Sequence, residues 1–558
     1  MTTDSLASSQ VFSVPELVAL ISGFLQSRDL VHILCTSKTT FIAVVPRVWE
    51  ALPGIRHLLS IIGGAVLNPN GTIDGNEAID LTPSLTTKQP FSGFHVYSRF
   101  VKELILYGPN DQYIGILGWG ALIDHNRVSP LLPNLRRLNT QASSGHGSDL
   151  PLWIDAIGSP RLTHIWGDSF WTCKMPIVSY PIASSALESI VTKCPNIERL
   201  SLFPDQSTGE VNMNEEGSLS ILVSSEPFYN HLLQLPKLQT LVGSTAWLRK
   251  DALGIIAQMP ELRSLTIHGL DGERIQIMEE WFTGMPLFQL EELGLKRLHP
   301  HDIARLLTID SLVLGLNSLE LTFDARLINA GFDDDEWFHQ HMILPLQPLK
   351  YLYEFSVDAD VTCESYLILE LGSTSLDVFS RLPLETVFLN NIDIDNNCLM
   401  DLGRAWPKVT DLQMPTQRVG LATLTCFASL PVLQELELLL DMKPEAIPTA
   451  DGIHPVPSLR ILKASNLYSS ENRIAMGSVD LVHFAQALHK LWPNLREIFW
   501  PKQSSSPTDT PEDIANRDRV GFLNGHLAAL RKPHAEGVVH LSWPMPTIFE
   551  FCDHDDSI

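Results

Sequence analysis

A repeated unit of 24 residues constrains the fold of this chain more than any other feature. Pro431 follows Pro407 after 24 residues, and an apolar triplet follows each proline at the same spacing. The triplets are Val409, Leu412 and Met414 in the first unit and Leu433, Leu436 and Leu438 in the second. A fixed period of this length is typical of stacked repeats and not of one globular core.

Two hydrophobic periods inside the unit predict one helix and one strand. Leu436 and Leu438 alternate with Glu435 and Glu437, as residues do in a strand with one buried face. The preceding helix carries its apolar residues on one side, at Leu421, Leu424, Phe427 and Ala428. Neither element can bury its apolar side alone, so each repeat must stack on the next one.

The same triplet recurs along most of the chain. Its first apolar residue occurs at Val101, Leu135, Leu162, Ile197, Leu238, Leu262, Leu290, Leu316, Leu352, Leu384, Val409, Leu433, Leu459 and Leu495. Intervals of 24 to 41 residues indicate a constant unit with surface insertions. The pattern L-x-x-L-x-L resembles the leucine-rich repeat, which implies an α/β fold, an irregular horseshoe solenoid with a parallel sheet on its concave face.

The predicted domain organisation follows from the extent of these repeats. It comprises a disordered N-terminus at 1–10, a helical domain at 11–52, a connecting segment at 53–94, the repeat array at 95–545 and an acidic tail at 546–558. Polar insertions within the array are predicted to be surface loops at 140–149, 204–219, 324–341 and 501–515.

Residues 11–52 predict three short helices. Ser13 and Glu16 form a capping-box pattern at the start of the first helix, which carries Leu17, Leu20, Ile21 and Phe24. Ser27 and Asp29 mark the start of the second helix, whose apolar face is Leu30, Ile33 and Leu34. A third helical segment runs toward Val48 and Trp49.

This helical segment resembles the F-box motif. The matching residues are Val14-Pro15-Glu16-Leu17, Ile21, Leu25, Asp29-Leu30, Cys35, Ser37-Lys38 and Trp49. The resemblance implies that a Skp-type adaptor binds here, through Val14, Pro15, Leu17, Ile21, Leu25, Leu30 and Trp49. The alternative is an ordinary helical cap that seals the end of the solenoid.

Charge and cysteine usage limit the classes of partner and compartment. A net charge of −25 opposes binding to nucleic acid or to an acidic membrane. The seven cysteines are scattered and form no CxxC pair, which favours reduced thiols. The N-terminus lacks a signal-peptide pattern, and no run of 18 apolar residues occurs. We therefore expect a cytoplasmic or nuclear protein.

The sequence contains no G-x-S-x-G, GxxxxGK[ST] or HExxH motif. Asp333 to Glu336 lie beside His339 and His341, but their spacing matches no metal site and predicts a solvated acidic loop. Asp393, Asp395 and Asn397 resemble the start of a calcium loop, which Cys398 and Arg404 exclude by replacing the required Gly and Glu. We expect a non-catalytic protein without a cofactor or a metal.

The outward positions of the strands predict where a target binds. They hold Arg137, Asn139, Arg199, Ser201, Ser264, Thr266, Glu292, Glu320, Glu354, Asp411, Glu435, Glu437, Lys463 and Glu497. The start of this series is basic and its middle is acidic. The acidic residues Glu292, Glu320, Glu354, Asp411, Glu435 and Glu437 are the predicted target-binding set, suited to a basic protein segment. The alternative is that solvated strand positions simply favour charge.

Together the two resemblances imply a substrate-recognition subunit of a Skp/cullin/F-box ubiquitin ligase. The adaptor and cullin complex would bind the helices, and an unidentified protein target would bind the array. The alternative function is a leucine-rich-repeat scaffold or interaction protein that acts outside a ubiquitin ligase.

Overall fold

The computed structural model describes residues 14 to 532 of the chain, with gaps. The residues outside the description are 1–13, 74–75, 87, 108–114, 141–148, 168–176, 206–209, 214–218, 223–227, 271–273, 276, 278–281, 283–288, 329–333, 360–367, 443–455, 457, 466–472, 475–476, 501–510 and 533–558. The predicted N-terminus 1–10, the tail 546–558 and most of insertion 140–149 therefore lie outside the described residues. The chain divides into two compact units, residues 1–417 and residues 418–558.

The first unit contains helices that alternate with short strands. Its α-helices are α1 (Pro15–Ser22), α2 (Ser27–Leu34), α3 (Lys38–Val48), α4 (Arg56–Leu59), α5 (Ser92–Ser98), α6 (Trp119–Val128), α7 (Leu150–Ile157), α8 (Tyr180–Lys193), α9 (Lys250–Ile256), α10 (Pro300–Leu307), α11 (Asp310–Val313), α12 (Asp334–Phe338), α13 (Ser373–Phe379) and α14 (Leu402–Ala405). Short 3₁₀ helices cover Thr82–Thr86, Phe228–Gln234, Thr245–Leu248, Ala325–Leu327, Leu344–Leu346 and Leu399–Asp401, and a π-helix covers His339–Ile343.

The strands of this unit form one main sheet and three small ones. They are β1 (Ala51–Leu52), β2 (Val66–Ile73), β3 (Asn76–Asp80), β4 (Glu103–Ile105), β5 (Gly115–Leu117), β6 (Arg137–Asn139), β7 (His164–Trp166), β8 (Arg199–Leu202), β9 (Glu210–Met213), β10 (Leu219–Leu222), β11 (Thr240–Ser244), β12 (Ser264–His268), β13 (Glu292–Lys296), β14 (Ser318–Thr322), β15 (Glu354–Asp358), β16 (Leu369–Leu371), β17 (Thr386–Asn390), β18 (Ile392–Ile394) and β19 (Asp411–Val419). The parallel main sheet follows chain order, β1-β4-β6-β7-β8-β11-β12-β13-β14-β15-β17-β19.

The leucine triplets predicted from sequence supply the strands of the sheet. Each strand begins two residues after the first apolar residue of its triplet, as Glu292 of β13 follows Leu290. Those first residues are at most 2% exposed in every repeat. The predicted leucine-rich-repeat solenoid and its strand phase are thereby confirmed.

Backbone hydrogen bonds tie consecutive repeats together just before each strand. The Arg263 carbonyl accepts from the amides of Glu291 and Glu292, at 2.7 and 3.0 Å. The same doubled acceptance recurs at the carbonyls of Glu50, Lys102, Arg136, Thr163, Glu198, Gln239, Glu291, Asn317, Tyr353 and Glu385. These bonds extend the pairing of strands that are often three residues long, and they fix the register from repeat to repeat.

The three N-terminal helices are present and pack around a small core. Val18, Leu30 and Val44 form its buried centre. Ser37 caps α3 in a capping box, since its hydroxyl accepts from the Thr40 amide at 3.2 Å. The capping pattern predicted at Ser13 lies outside the described residues, and the N-cap of α1 is Val14, which makes no side-chain capping bond.

The connecting segment 53–94 is folded into the unit. It contains α4, β2, β3 and α5, and β3 pairs with β2 in antiparallel and with β5 in parallel orientation. Leu58 and Ile79 are at most 1% exposed. This segment therefore has buried apolar residues of its own.

The surface loop predicted at 324–341 is wrong over its second half. That stretch forms α12 and the first three residues of the π-helix, and it buries Trp337 and Phe338; Met342, just beyond it, is also buried. Trp337 and Met342 are five residues apart, as are Phe338 and Ile343, which is the repeat of a π-helix. Acidic residues precede Trp337 and Phe338 in the sequence, so the composition of the segment suggests a loop and hides the spacing of its apolar residues.

The second unit continues the same construction. It contains α15 (Leu421–Phe427), β20 (Glu435–Met442), β21 (Ile461–Ala464), β22 (Arg473–Ile474), α16 (Ser478–Leu491), β23 (Glu497–Phe499) and α17 (Pro511–Arg531). Strands β20, β21 and β23 are parallel neighbours in that order. Helix α16 buries its predicted face, Leu481, Phe484, Ala485 and Leu488. Its N-cap is Gly477 and not Ser478 as predicted.

Helix α17 covers the edge strand β23, where the sequence predicts a loop up to residue 515. The Asn524 side chain accepts from the Ile498 amide at 2.8 Å and donates to the Ile498 carbonyl at 3.0 Å. A single side chain thus pairs with the backbone as a further strand would. This contact protects the sheet edge from another chain.

No helix among the described residues is long and apolar enough to cross a membrane. The described cysteines Cys35, Cys194, Cys398 and Cys426 form no disulfide, and Cys194 and Cys398 are buried. Burial raises the pKa of Cys194 to about 12, so this thiol serves as a small apolar group.

The strand phase of the second unit predicts unequal effects of two adjacent substitutions. Leu436 is fully buried in β20, whereas Glu435 points outward and pairs with Lys463 at 2.7 Å. We expect Leu436→Ala to lower the free energy of unfolding by about 2 to 5 kcal/mol because it leaves a cavity. Glu435→Ala should cost less than about 1 kcal/mol. Urea unfolding measures both, and equal losses would contradict the phase.

Asp393 is a half-buried carboxyl group in the first unit. It lies on β18 in register with Glu370 of β16. Burial raises the pKa of Asp393 from 3.8 to about 6, and the charge of Glu370 adds to the increase. The Thr416 hydroxyl donates to its Oδ1 at 3.2 Å and opposes the shift. The ionised form of Asp393 is therefore less favourable in the folded protein than in the unfolded chain.

This raised pKa predicts a pH-dependent effect of Asp393→Asn. Stability of the wild type should fall as pH rises from about 4 to about 6, because ionisation then favours the unfolded chain. The amide keeps an acceptor for Thr416 without the charge. We expect the variant to be more stable by about 2 to 3 kcal/mol near neutral pH. The difference should vanish below the ordinary Asp pKa in urea unfolding, and a pH-independent difference would contradict this account.

Candidate partner-binding surfaces

An apolar stripe on α1 is the most exposed apolar feature of the N-terminal helices. Leu17 is 42% exposed, Leu20 is 64% exposed, and Phe24, just beyond the helix end, is 85% exposed. Positions i, i+3 and i+7 share one face of a helix, and Val14 extends that face at its start. The opposite face of α1 is buried through Val18 and Ser22. Helix α1 is therefore apolar on two sides, and one of them faces solvent.

The predicted adaptor-binding residues divide into three groups. Val14, Pro15 and Leu17 are exposed and available to a partner. Ile21 and Leu25 are half-buried. Leu30, at 5% exposure, belongs to the small core of the helices, and its contact with an adaptor stays a prediction.

The last member of the predicted set, Trp49, faces the repeat array. Its ring lies 4.5 Å from the ring of Tyr97, near the end of α5. Trp49 is half-buried and joins the helices to the first repeat.

The outward side chains of the main sheet fall into one continuous row, which we call the charged row. In register along the sheet it comprises Glu103, Arg137, His164, Arg199, Thr240, Ser264, Glu292, Ser318, Glu354, Thr386 and Asp411. Neighbouring strands are about 4.8 Å apart, so the row is a line of evenly spaced side chains. The row begins with Glu103, which pairs with Arg137; after it, the basic residues precede the acidic ones, as the sequence predicts.

The register spaces the predicted acidic residues of the first unit more widely than the sequence implies. Ser318 lies between Glu292 and Glu354, and Thr386 lies between Glu354 and Asp411. Successive carboxylates of the row are therefore about 10 Å apart, close to the screening length in 0.1 M salt. The field along this stretch is weaker than that of carboxylates on adjacent strands.

Two other predicted acidic residues form ion pairs. Glu320 is the next outward residue after Ser318 on β14, so it lies beside the charged row and not in it. It pairs with Lys296 at 2.8 Å. In the second unit, Glu435 pairs with Lys463 at 2.7 Å. Glu437 is half-buried on the same strand. Glu292 and Glu354 are the most exposed members of the set.

Two aromatic clusters that contain histidine could not be predicted from the sequence, because each joins residues that are about 30 or more positions apart in the chain. The Nε2 atoms of His95 and His125 lie 2.9 Å apart. The rings of His299 and His301 are stacked, and Trp337 lies edge-on to His301. Burial lowers the pKa of His125, His299 and His301, which keeps these rings neutral. The described residues contain no group of three or more ligands arranged for a metal ion.

Comparison with known proteins gives structural likeness only. No protein-family model and no curated protein match the chain. Similar solved structures include Rad7 in complex with Elc1 in yeast, with 19% identity over 52% of this chain and 78% of that one (TM-score 0.30). A leucine-rich repeat-containing protein, LegL7 from Legionella pneumophila, has 14% identity over 70% and 97% (TM-score 0.31), and an internalin from Listeria monocytogenes has 13% over 62% and 75% (TM-score 0.26). The assignment of the fold rests on the repeats themselves.

The acidic part of the charged row predicts binding of basic segments through Glu292 and Glu354. We expect Glu292→Lys with Glu354→Lys to weaken binding of a fluorescein-labelled, lysine-rich peptide by about tenfold, because attraction becomes repulsion. Added salt should weaken binding to the wild type. Fluorescence anisotropy measures both effects. Asp124→Lys with Asp377→Lys, the same charge change at exposed carboxylates outside the charged row, is the control and should leave binding unchanged. Unchanged peptide binding would mean that these charges only solvate the sheet.

Proposed function

We propose that this chain is a substrate-recognition subunit of a Skp/cullin/F-box ubiquitin ligase. Helices α1 to α3 bind a Skp-type adaptor, and the repeat array binds a protein target. The chemistry of ligation belongs to the partner proteins, and this chain contributes proximity between target and enzyme. The proposal places the protein in the cytoplasm or the nucleus.

The observation that carries the proposal is the exposed apolar stripe on α1. Covering Leu17, Leu20 and Phe24 would supply on the order of 3 to 6 kcal/mol before the cost of association. The three helices have a small core of their own, so a partner would also stabilise them. The stripe lies within the segment that resembles the F-box motif.

The alternative role of the three helices, as a cap on the end of the solenoid, accounts for a different set of contacts. Strand β1 pairs with β4, and Trp49 packs on Tyr97, so the helices cover the first repeat. A cap needs only these inward contacts. It gives no reason for a second apolar face on α1, and this surplus face favours a docking role over a cap alone.

Two substitutions on the stripe test adaptor binding without disturbing the core. We expect Leu20→Asp with Phe24→Asp to reduce co-purification of a Skp-type adaptor and cullin by about tenfold or more, because a charge would be buried at the interface. Both residues are exposed, so the variant should unfold at the temperature of the wild type.

The matched control carries the same charges at apolar residues elsewhere in the first unit. Val128 is 88% exposed and Tyr351 is 65% exposed, and Val128→Asp with Tyr351→Asp should leave adaptor recovery unchanged. Full recovery with the Leu20 and Phe24 variant would refute the adaptor role and leave the cap. Equal loss in both double variants would show a non-specific effect of charge.

A further inference from the structure

A groove of about 1410 Å³ runs along the amino-terminal edge of the main sheet in the first unit. One end is lined by apolar side chains of the N-terminal helices, among them Leu25 and Val31. The rest is lined by residues that precede or begin β4, β6, β7, β8 and β11, including Lys102, Arg136 and Lys237. The groove therefore has an apolar end and a polar length that crosses several repeats.

The lining of this groove is basic in a strongly acidic protein. It includes six Lys and Arg side chains and three Glu side chains, whereas the whole chain carries a net charge of −25. The carboxylate of Glu50 is shared by Arg47 at 2.9 Å and Lys102 at 3.0 Å. This sharing lowers the pKa of Glu50, with the Lys102 hydrogen bond as the largest cause. One carboxylate thus serves two cations and leaves positive charge in surplus.

Three further cations of the groove have no carboxylate partner among the described residues. Arg136, Arg161 and Lys237 are all exposed, and Arg161 donates to the neutral side chain of Asn134. Of the two other carboxylates in the lining, Glu103 pairs with Arg137, and Glu198 makes no ion pair among the described residues. Solvated cations brought together on one surface, with few anions between them, form a local positive field.

Backbone hydrogen bonds place Lys102 and Arg136 at equivalent positions of successive repeats. The carbonyl of Lys102 accepts from the amides of Arg136 and Arg137 at 2.8 and 3.0 Å. The carbonyl of Arg136 accepts in turn from Thr163 and His164 at 2.9 and 3.0 Å. Because each of these bonds fixes the start of the next repeat, the backbone along this side of the groove is ordered before a ligand binds.

We infer that this groove binds an extended, carboxylate-rich segment of a protein target. Its lining extends from β1 to the turn before β11, which is five strand spacings or roughly 24 Å, enough for about seven residues of extended peptide. Carboxylates of the segment face the cations, and an apolar side chain fills the end beside Leu25 and Val31. The inference names the target chemistry of the proposed receptor, and the groove binds its ligand whether or not the helices dock an adaptor.

Single-stranded nucleic acid is the competing occupant, and the lining favours a peptide. Proteins bind single-stranded nucleic acid by stacking bases on exposed aromatic rings. Trp49 is the indole in the described lining, and its ring is already packed against Tyr97.

The experiment measures binding of a labelled peptide to the purified full chain by fluorescence anisotropy. The probe is a fluorescein-labelled peptide of Asp and Glu with one terminal Leu, long enough to span the groove. We expect Arg136→Glu with Arg161→Glu to weaken its binding by about tenfold or more. Arg127→Glu with Arg404→Glu, the same change at exposed arginines outside the groove, should leave affinity unchanged. Both variants should show the thermal unfolding of the wild type.

Three outcomes would overturn the inference. Equal affinity of the groove variant and the control variant would place the ligand elsewhere. Tighter binding of a uridine oligonucleotide of similar length would assign the groove to nucleic acid. Displacement of the peptide by a purified Skp-type adaptor would assign it to the adaptor. The Leu20→Asp, Phe24→Asp variant should bind the peptide normally, so failure of adaptor docking is distinguishable from failure of this inference.

Discussion

Burial of the leucine triplets between neighbouring repeats is the interaction on which the structure depends. Leu265, Leu293 and Leu319 lie in register on three successive strands and are at most 1% exposed. Strands as short as three residues have too few hydrogen bonds to persist alone. Stacking supplies the apolar burial that each repeat lacks, and the doubled carbonyl bonds before each strand then fix the register. The outward positions of each strand are left for binding, so the surface chemistry is ordered in lines.

The positions of the strands could be predicted because burial imposes a period of two that insertions do not disturb. The register among outward side chains could not be read from one repeat at a time. It places Ser318 between Glu292 and Glu354, so residues that seem adjacent in a series of acids are separated in space. Lys296 lies one position beyond the L-x-x-L-x-L pattern, and its ion pair with Glu320 was therefore not anticipated.

Segments with apolar residues on two sides were harder to predict than the repeats. In α1, Leu17 and Val18 are neighbours, and helical periodicity does not decide which of them faces inward. The structure buries Val18 and leaves Leu17 exposed, because Val18 can meet Leu30 and Val44. The composition of residues 324–341 is also a poor guide to their structure. Its acidic start is typical of a loop, yet the buried ring of Phe338 beside Phe323 makes it part of the core.

The separation of charge along the row reconciles an acidic protein with a basic groove. Arg199 and Glu292 are three strand spacings apart, with Thr240 and Ser264 between them, which is roughly 14 Å. Exposed charges are screened over about 8 Å at physiological ionic strength, so the basic and acidic parts act on a ligand almost independently. The net charge of −25 then determines which ligands the protein attracts or repels at long range, whereas the charges that line the groove determine which ligand binds there. A target that carries an acidic segment and a basic segment at this separation would match both parts of the row at once.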